Sequence, residues 1–128
     1  MILVDTSIWI EFFKKKSQTI IPIDLIPNLA VCPPVVQEVL QGIKDDATYL
    51  RIQRSLLSFR IAGATMDISY YQEAANIYRS ARRRGITIRS SVDCLIAAIA
   101  LRDKFQIWHQ HRDFEEISRF TELKLFQI

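Results

Sequence analysis

The chain has 128 residues and a net charge of +3, with 17 Lys and Arg against 14 Asp and Glu. That length favours one domain over residues 1–128, able to bury about two-thirds of the surface of its unfolded chain without a disulfide. The mild basic charge favours nucleic acid only slightly, and we find neither the basic start of a signal peptide nor an apolar run of the roughly 20 residues that span a bilayer. Cys32 and Cys94 lie in apolar segments without CxxC spacing, which predicts reduced core residues of a cytoplasmic protein.

The first half of the chain alternates short β-favouring runs with segments in which apolar residues recur at helical spacing. We predict, in order, a strand at 2–4, a helix starting after Asp5, one short helical turn within 17–28, a strand at 29–32, and helices at 34–43 and 47–57. Thr6 or Ser7 is the expected N-cap of the first helix. Asp5 then lies at the carboxyl end of the first strand, where open α/β sheets bind their ligands.

The second half continues the same alternation. The predicted elements are a weaker strand at 60–66, a helix opened by Asp67 or Ser69 and ended by Gly85, a buried helix after Ser90, a strand at 105–108, a short helix near 114–120 and a last strand at 123–128. Because helices rather than two-residue turns separate the strands, the sequence predicts an α/β fold. We expect a small, mostly parallel sheet of four or five strands with helices on both faces.

Three acidic residues occupy comparable places at the borders of apolar segments. Asp5 follows a strand, Glu38 lies about 60° outside the apolar arc of its helix, and Asp93 lies in the first turn of a buried helix. Desolvated carboxylates repel one another, so their convergence needs a counter-charge such as Mg²⁺ or Mn²⁺, which prefer oxygen ligands. Each acid also fits an ordinary local role, and Ser90 with Asp93 matches a capping box.

Four segments, in this order along the chain, resemble the signatures of one protein family. They are residues 1–10 (MILVDTSIWI), 35–42 (VVQEVLQG), 84–98 (RGITIRSSVDCLIAA) and 112–117 (RDFEEI). Together they resemble PIN-domain ribonucleases, specifically VapC-type toxins, from end to end of the chain. The resemblance implies a PIN fold, an endoribonuclease that depends on Mg²⁺ or Mn²⁺, and pairing with a cognate VapB-type antitoxin.

The resemblance also implies roles for individual residues. Asp5, Glu38 and Asp93 match the family's three principal metal-binding acids. Many members carry Asp-Arg-Asp-Phe where this chain reads His-Arg-Asp-Phe, so His111 replaces the first acid of that pair. Asp113 is then the candidate fourth acid, or alternatively the cap of the helix that follows it. The candidate auxiliary residues, which can orient a metal-bound water or a phosphate, are Thr6, Ser7, Ser91 and His111.

The implied reaction is hydrolysis of an RNA phosphodiester, with Asp5, Glu38 and Asp93 holding ions that activate a water and neutralise the charge developing on the phosphate. Arginines before the buried helix are candidate contacts to the RNA backbone, although a solvated helix end explains them equally well. These arginines are Arg79, Arg82, Arg83, Arg84 and Arg89.

Three alternatives follow from the same residues. Zinc is an alternative metal, but the His109-x-His111 spacing lacks a nearby Cys or His partner. A phosphatase of the haloacid dehalogenase type normally has a second Asp two residues after the first, where this chain has Ser7. A degenerate PIN domain that binds RNA or an antitoxin without cleaving remains an alternative because of His111.

The first helix carries an unusual amount of aromatic surface in Trp9, Phe12 and Phe13. Core packing explains at least two of these side chains. The surplus suits a homodimer contact or an antitoxin groove, both of which the resemblance also implies.

Overall fold

The computed structural model describes residues 1–14 and 21–128, which form a parallel sheet flanked by α-helices. The strands are β1 (Ile2–Val4), β2 (Leu29–Val31), β3 (Arg60–Ile61) and β4 (Gln106–Trp108). The helices are α1 (Thr6–Phe13), α2 (Pro33–Gln41), α3 (Asp46–Leu56), α4 (Ile68–Arg83), α5 (Ser91–Asp103) and α6 (Arg112–Ser118). The short helical turn predicted within 17–28 is a 3-10 helix at Ile23–Asn28. Residues 17–20 of the predicted range lie outside the described part of the chain. None of the helices in the described ranges has the length and apolar character needed to cross a membrane.

All four strands are parallel, and their order across the sheet is β3-β2-β1-β4. In this register Leu3 lies opposite Ala30 and Val4 lies opposite Trp108. The predicted mostly parallel sheet with flanking helices is therefore confirmed. Because the strands are parallel, the residues that follow them all emerge at one edge of the sheet.

Two predicted strands are much shorter than expected. The run at 60–66 pairs with β2 only at its start, because the chain turns at Gly63, whose φ of +68° favours glycine. A Cβ at Gly63 would approach the Met66 side chain to 3.1 Å. The predicted strand at 123–128 is reduced to one parallel bridge between Ile107 and Leu125.

The helix boundaries near α4 follow the predicted signals. Asp67 is the N-cap, and its carboxylate accepts the backbone N–H of Ser69 at 2.9 Å. Gly85 follows the helix with a φ of +73°, a conformation that few side chains tolerate.

The core contains the sheet strands, residues from the flanking helices, and α5, most of whose residues are buried. Trp9 is fully buried and packs against Phe59 with ring centroids 4.8 Å apart, whereas Phe12 and Phe13 are only partly buried. Core packing therefore accounts fully for Trp9 and in part for its two neighbours. Both cysteines are buried free thiols, as the sequence predicts.

The C-terminal end of α5 is held by Asp103. Its carboxylate accepts the backbone N–H of Gly63 at 2.7 Å and the hydroxyl of Tyr70 at 2.6 Å. The guanidinium of Arg102 lies over the Tyr70 ring, 4.8 Å from its centroid. These contacts join α5 to the turn after β3 and to the start of α4, so they fix the direction of the helix whose other end carries Asp93.

We expect Asp103→Ala to lower the free energy of unfolding by about 2–3 kcal/mol, because both donors lose their acceptor. Tyr70→Phe removes only one of the two bonds and should cost about 1 kcal/mol. Urea denaturation measures both values, and Glu122→Ala, at an exposed position, should stay within about 0.5 kcal/mol of the parent. Equal effects of Asp103→Ala and Glu122→Ala would show that Asp103 does not hold α5.

Candidate active site

Asp5 lies where β1 ends and α1 begins, and its side chain is only 1% exposed. Its backbone N–H donates to the Trp108 carbonyl at 3.0 Å, so the ends of β1 and β4 are joined beside its carboxylate. The Ser7 hydroxyl donates to Asp5 Oδ2 at 3.0 Å. The structure thus gives Asp5 the buried position at the sheet edge that the sequence predicts.

Glu38 extends from α2 towards the start of α1 and is half-buried, as expected from its place beside the apolar arc. The Thr6 hydroxyl donates to Glu38 Oε1 at 2.8 Å. The predicted capping of α1 by Thr6 or Ser7 is wrong, because both residues lie inside the first turn and Asp5 is the N-cap. Their hydroxyls instead hold the carboxylates of Glu38 and Asp5 in place.

Asp93 lies in the first turn of α5 and is 4% exposed. Ser90 is the N-cap of the helix, but its side chain makes no capping hydrogen bond. Asp93 Oδ2 is buried and has no hydrogen-bond partner among the described residues. The predicted capping box of Ser90 and Asp93 is therefore not formed.

Asp113, and not the predicted capping box, binds the backbone N–H groups at the start of α5. Its carboxylate accepts the backbone N–H of Arg89 at 3.1 Å and that of Ser90 at 3.1 Å. It lies inside the first turn of α6, whose N-cap is His111, and is 5% exposed. The alternative that Asp113 caps its own helix is wrong, since the amides it binds belong to the segment that enters α5.

The charge on Asp93 is poorly compensated. Burial raises the pKa of Asp93 to about 7, and hydrogen bonding with Asp113 and the charge of Asp5 act in the same direction. The nearby ring of His111 opposes this rise in pKa. Asp5, Asp93 and Asp113 are the buried acids of the part of the chain that the structure describes, so a cation at this place would relieve their mutual repulsion.

His111 covers this group of acids from the solvent side. Its Nδ1 lies 3.5 Å from Asp93 Oδ2, its Nε2 lies 3.9 Å from Asp5 Oδ2, and its side chain is 48% exposed. The backbone N–H of His111 donates to His109 Nδ1 at 3.1 Å, and the His109 ring lies 5.4 Å from that of Phe114. Sequence reasoning placed His111 near the site but missed its contact with both acids and the part played by His109.

The two carboxylates of Asp5 and Asp93 offer the oxygen ligands that a hard divalent cation such as Mg²⁺ prefers. Within residues 1–14 and 21–128, no three His, Cys, Asp or Glu side chains are already arranged to enclose an ion. Mg²⁺ keeps several waters and needs only one or two carboxylates, which the unpartnered Asp93 and the adjacent Asp5 can supply. Burial raises the pKa of Cys32 and of Cys94 to about 12, so neither thiol is a thiolate ligand at neutral pH.

Two hollows lie near the start of α5, and only one of them is lined by an acid of this group. One, of about 480 Å³, is lined by Arg89 and Arg112 together with Asp113. Another, of about 300 Å³, lies between α4 and α5 and is lined by Arg79 and Ser91. Arg112 was not singled out from the sequence, because its side chain became relevant only once α6 was placed beside the α4–α5 loop.

The other predicted arginines make contacts at the end of α4. Arg82 lies over the Tyr78 ring at 5.9 Å from its centroid, and Arg83 donates to the Ser80 hydroxyl at 3.3 Å. Arg84 lies over the ring of Phe120 at 5.3 Å. Of the arginines proposed from the sequence, Arg89 lines the hollow that contains Asp113, and Arg79 lines the hollow between α4 and α5.

The parallel sheet with acids at one edge agrees with the family comparison, in which the PIN domain model matches residues 2–119. A VapC ribonuclease of Mycobacterium bovis and ribonuclease VapC11 of Mycobacterium tuberculosis are each 37% identical to this chain, over 97% of it and 96% of their own length. The chain belongs to the PIN-domain family, among its VapC-type members. The resemblance seen in the sequence is thus confirmed.

Solved structures show the same fold. FitAcB from Neisseria gonorrhoeae matches with a TM-score of 0.74 and 18% identity, over 99% of this chain and 97% of that one. VapBC2 from Rickettsia felis, bound to a DNA fragment from its promoter, matches with a TM-score of 0.73 and 18% identity, over 98% of both chains. At this identity the likeness supports the fold alone.

Stability of the metal-free protein should depend on the titration of Asp93. Its folded pKa of about 7 lies above the ordinary 3.8, so the folded state keeps a proton that the unfolded chain loses. The free energy of unfolding should therefore fall as the pH rises through this range, from about 4 to about 7. Asp93→Asn should remove this loss and be more stable than the parent at about pH 8.

Denaturant titrations in EDTA at several pH values measure the effect. Asp24→Asn changes an exposed carboxylate and should retain the pH dependence of the parent. The same pH dependence in Asp93→Asn as in the parent would mean that Asp93 is not the titrating group.

Proposed function

We propose that the protein is an endoribonuclease toxin that hydrolyses RNA phosphodiesters with Mg²⁺ or Mn²⁺ and is neutralised by a VapB-type antitoxin. The observation that carries this proposal is the buried pair Asp5 and Asp93, in which Asp93 Oδ2 has no hydrogen-bond partner within the described residues. The names of the VapC relatives support ribonuclease activity.

Asp5 and Asp93 are the proposed principal ligands of the cation, with Glu38 and Asp113 in supporting places. When bound, the ion supplies an activated water and neutralises charge that develops on the phosphate. Asp113 is a positioning residue. Its hydrogen bonds to the amides of Arg89 and Ser90 fix the start of α5 and so orient Asp93.

Two hydroxyl groups orient carboxylates of the proposed site. Ser7 holds the Asp5 carboxylate, and Thr6 holds that of Glu38, so each acid faces the site in one defined direction. A preorganised carboxylate does not have to reorient when the ion or the substrate arrives, which favours catalysis. Ser91, exposed at the start of α5, is available to the phosphate or to the ribose.

The RNA is proposed to cross the two hollows near the start of α5. Arg89 and Arg112 on one side, and Arg79 on the other, would contact phosphates without reading sequence. Arg82, Arg83 and Arg84 add positive charge at the end of α4, which increases the rate of encounter with a polyanion at low salt.

We expect Asp5→Asn and Asp93→Asn each to lower the cleavage rate at least about 100-fold, because each removes a charged ligand while keeping the side-chain volume. Cleavage of a fluorophore-labelled RNA should also stop in EDTA and return with Mg²⁺ or Mn²⁺. Asp24→Asn, on the exposed 3-10 helix, is the matched control and should cleave as the parent does.

Two results would contradict the proposal. Full activity in both acid variants would show that Asp5 and Asp93 do not form the active site. A parent protein that binds RNA but does not cleave it under either metal would support the alternative, a degenerate PIN domain that acts as a binding module. The binding-module alternative rests on the contact of His111 with both Asp5 and Asp93.

The proposed antitoxin surface is an apolar hollow among α1, α2 and α3. It has a volume of about 180 Å³ and is lined by Ile10, Phe13, Val39, Ile43 and Ile52, among others. Ile10 is 43% exposed although it is apolar. An amphipathic helix that lies over α1, α2 and α3 could insert an apolar side chain into a hollow of this size. The homodimer and the cytoplasmic location stay predictions.

Ile10→Glu should weaken binding of the VapB-type partner at least about tenfold, because a charge would enter the apolar hollow. In a bacterial host, co-expression of that partner should then no longer relieve the growth arrest, while RNA cleavage in vitro is kept. Ile23→Glu, at a site that is 80% exposed, should still be neutralised. Neutralisation of both variants alike would place the antitoxin elsewhere.

A further inference from the structure

We propose that His111 supplies a nitrogen ligand to the cation of this site, and that this ligand makes the site prefer Mn²⁺ to Mg²⁺. The inference rests on the proposed function, since it requires a cation at Asp5 and Asp93. It goes further by naming a ligand outside the acids and by choosing between the two metals.

The spacing between His111 and Asp93 is that of two ligands on one ion. Metal–ligand distances of about 2.1 Å place neighbouring ligand atoms about 3–3.5 Å apart. His111 Nδ1 lies 3.5 Å from Asp93 Oδ2, which is too long for a good hydrogen bond. The two atoms therefore face each other with room for an ion that both can contact.

The facing atoms are not used by other groups in the described part of the chain. Asp93 Oδ2 is buried without a hydrogen-bond partner, and its side chain is 5% exposed. The hydrogen bond recorded for His111 comes from its backbone N–H, which donates to His109 Nδ1. Its ring thus remains available for a ligand while its backbone is held.

A small movement of the half-exposed His111 side chain would complete the site. No three donors enclose an ion as they stand in the described residues, so the His111 side chain, which is 48% exposed, would have to move towards an ion at the acids. Asp5 and Asp93, by contrast, are buried and held by their helices and strands. The two carboxylates would therefore hold the ion, and the imidazole would be the ligand that adjusts to it.

The identity of this ligand decides the metal preference. Imidazole nitrogen binds transition-metal ions much better than Mg²⁺, which prefers carboxylate and water oxygen. Asp5 and Asp93 offer oxygen to either metal, so they do not discriminate strongly between them. The nitrogen of His111 adds binding energy for Mn²⁺ that Mg²⁺ does not gain.

The direct test is pulsed electron paramagnetic resonance of the Mn²⁺-loaded, tag-free protein, which detects ¹⁴N bound to the ion. The chain contains two histidines, so an imidazole signal has two possible sources. We expect strong ¹⁴N modulation in the parent and in His109→Gln, and its loss in His111→Gln and His111→Asp. Histidine labelled with ¹⁵N should shift the modulation in the parent.

Calorimetric titrations with Mn²⁺ and Mg²⁺ give a second readout. The ratio of Mg²⁺ to Mn²⁺ dissociation constants should fall at least about tenfold in His111→Asp, which converts the ligand set to oxygen alone. Circular dichroism of each variant checks that the fold is kept.

The outcomes separate this inference from the proposed function. Mn²⁺ that binds to the parent and is weakened by Asp5→Asn, but shows no ¹⁴N modulation, overturns the role of His111 and leaves the proposed function intact. Modulation that persists in His111→Gln and disappears in His109→Gln overturns it as well. A parent that binds neither metal overturns both.

Discussion

The unequal compensation of three buried carboxylates at one sheet edge is the constraint on which the site depends. Asp113 accepts two backbone N–H groups and Asp5 accepts a hydroxyl, whereas Asp93 Oδ2 accepts nothing from the described residues. Burial, hydrogen bonding with Asp113 and the charge of Asp5 therefore raise the pKa of the Asp93 carboxyl group. A protein that keeps such an atom gives up stability, which is common where a charged ligand is to be bound.

The surrounding scaffold makes that arrangement possible. Hydrogen bonding between Asp5 and Trp108 joins the ends of two parallel strands, so the segment with His111 starts beside the first acid. Because α5 precedes β4 in the chain and runs back along the sheet, its N-terminus with Asp93 reaches the same edge. Asp103 holds the other end of α5, which gives the buried helix little freedom to move its acid away.

Much of this architecture was readable from local patterns. Strands of β-branched and apolar residues, helical spacing, and the signals at Asp67 and Gly85 predicted the order of elements and the parallel sheet, and the structure confirms them. The errors occurred where one segment depends on another. The run at 60–66 is predicted to be a full strand, but the chain turns at Gly63 with a φ of +68°, and a side chain there would be crowded by Met66 and Ile99.

The sequence by itself predicted the family through the resemblance of four segments and the fold class through the alternation of strands and helices, and it named the candidate acids of the site. Only the tertiary structure decided which carboxylate is satisfied, since the amides bound by Asp113 lie 23 and 24 residues away along the chain. It likewise decided that Thr6 holds Glu38 rather than capping α1, and that His111 meets both Asp5 and Asp93. Hydrogen bonds and charge contacts between distant segments follow from packing, and local sequence patterns carry no record of them.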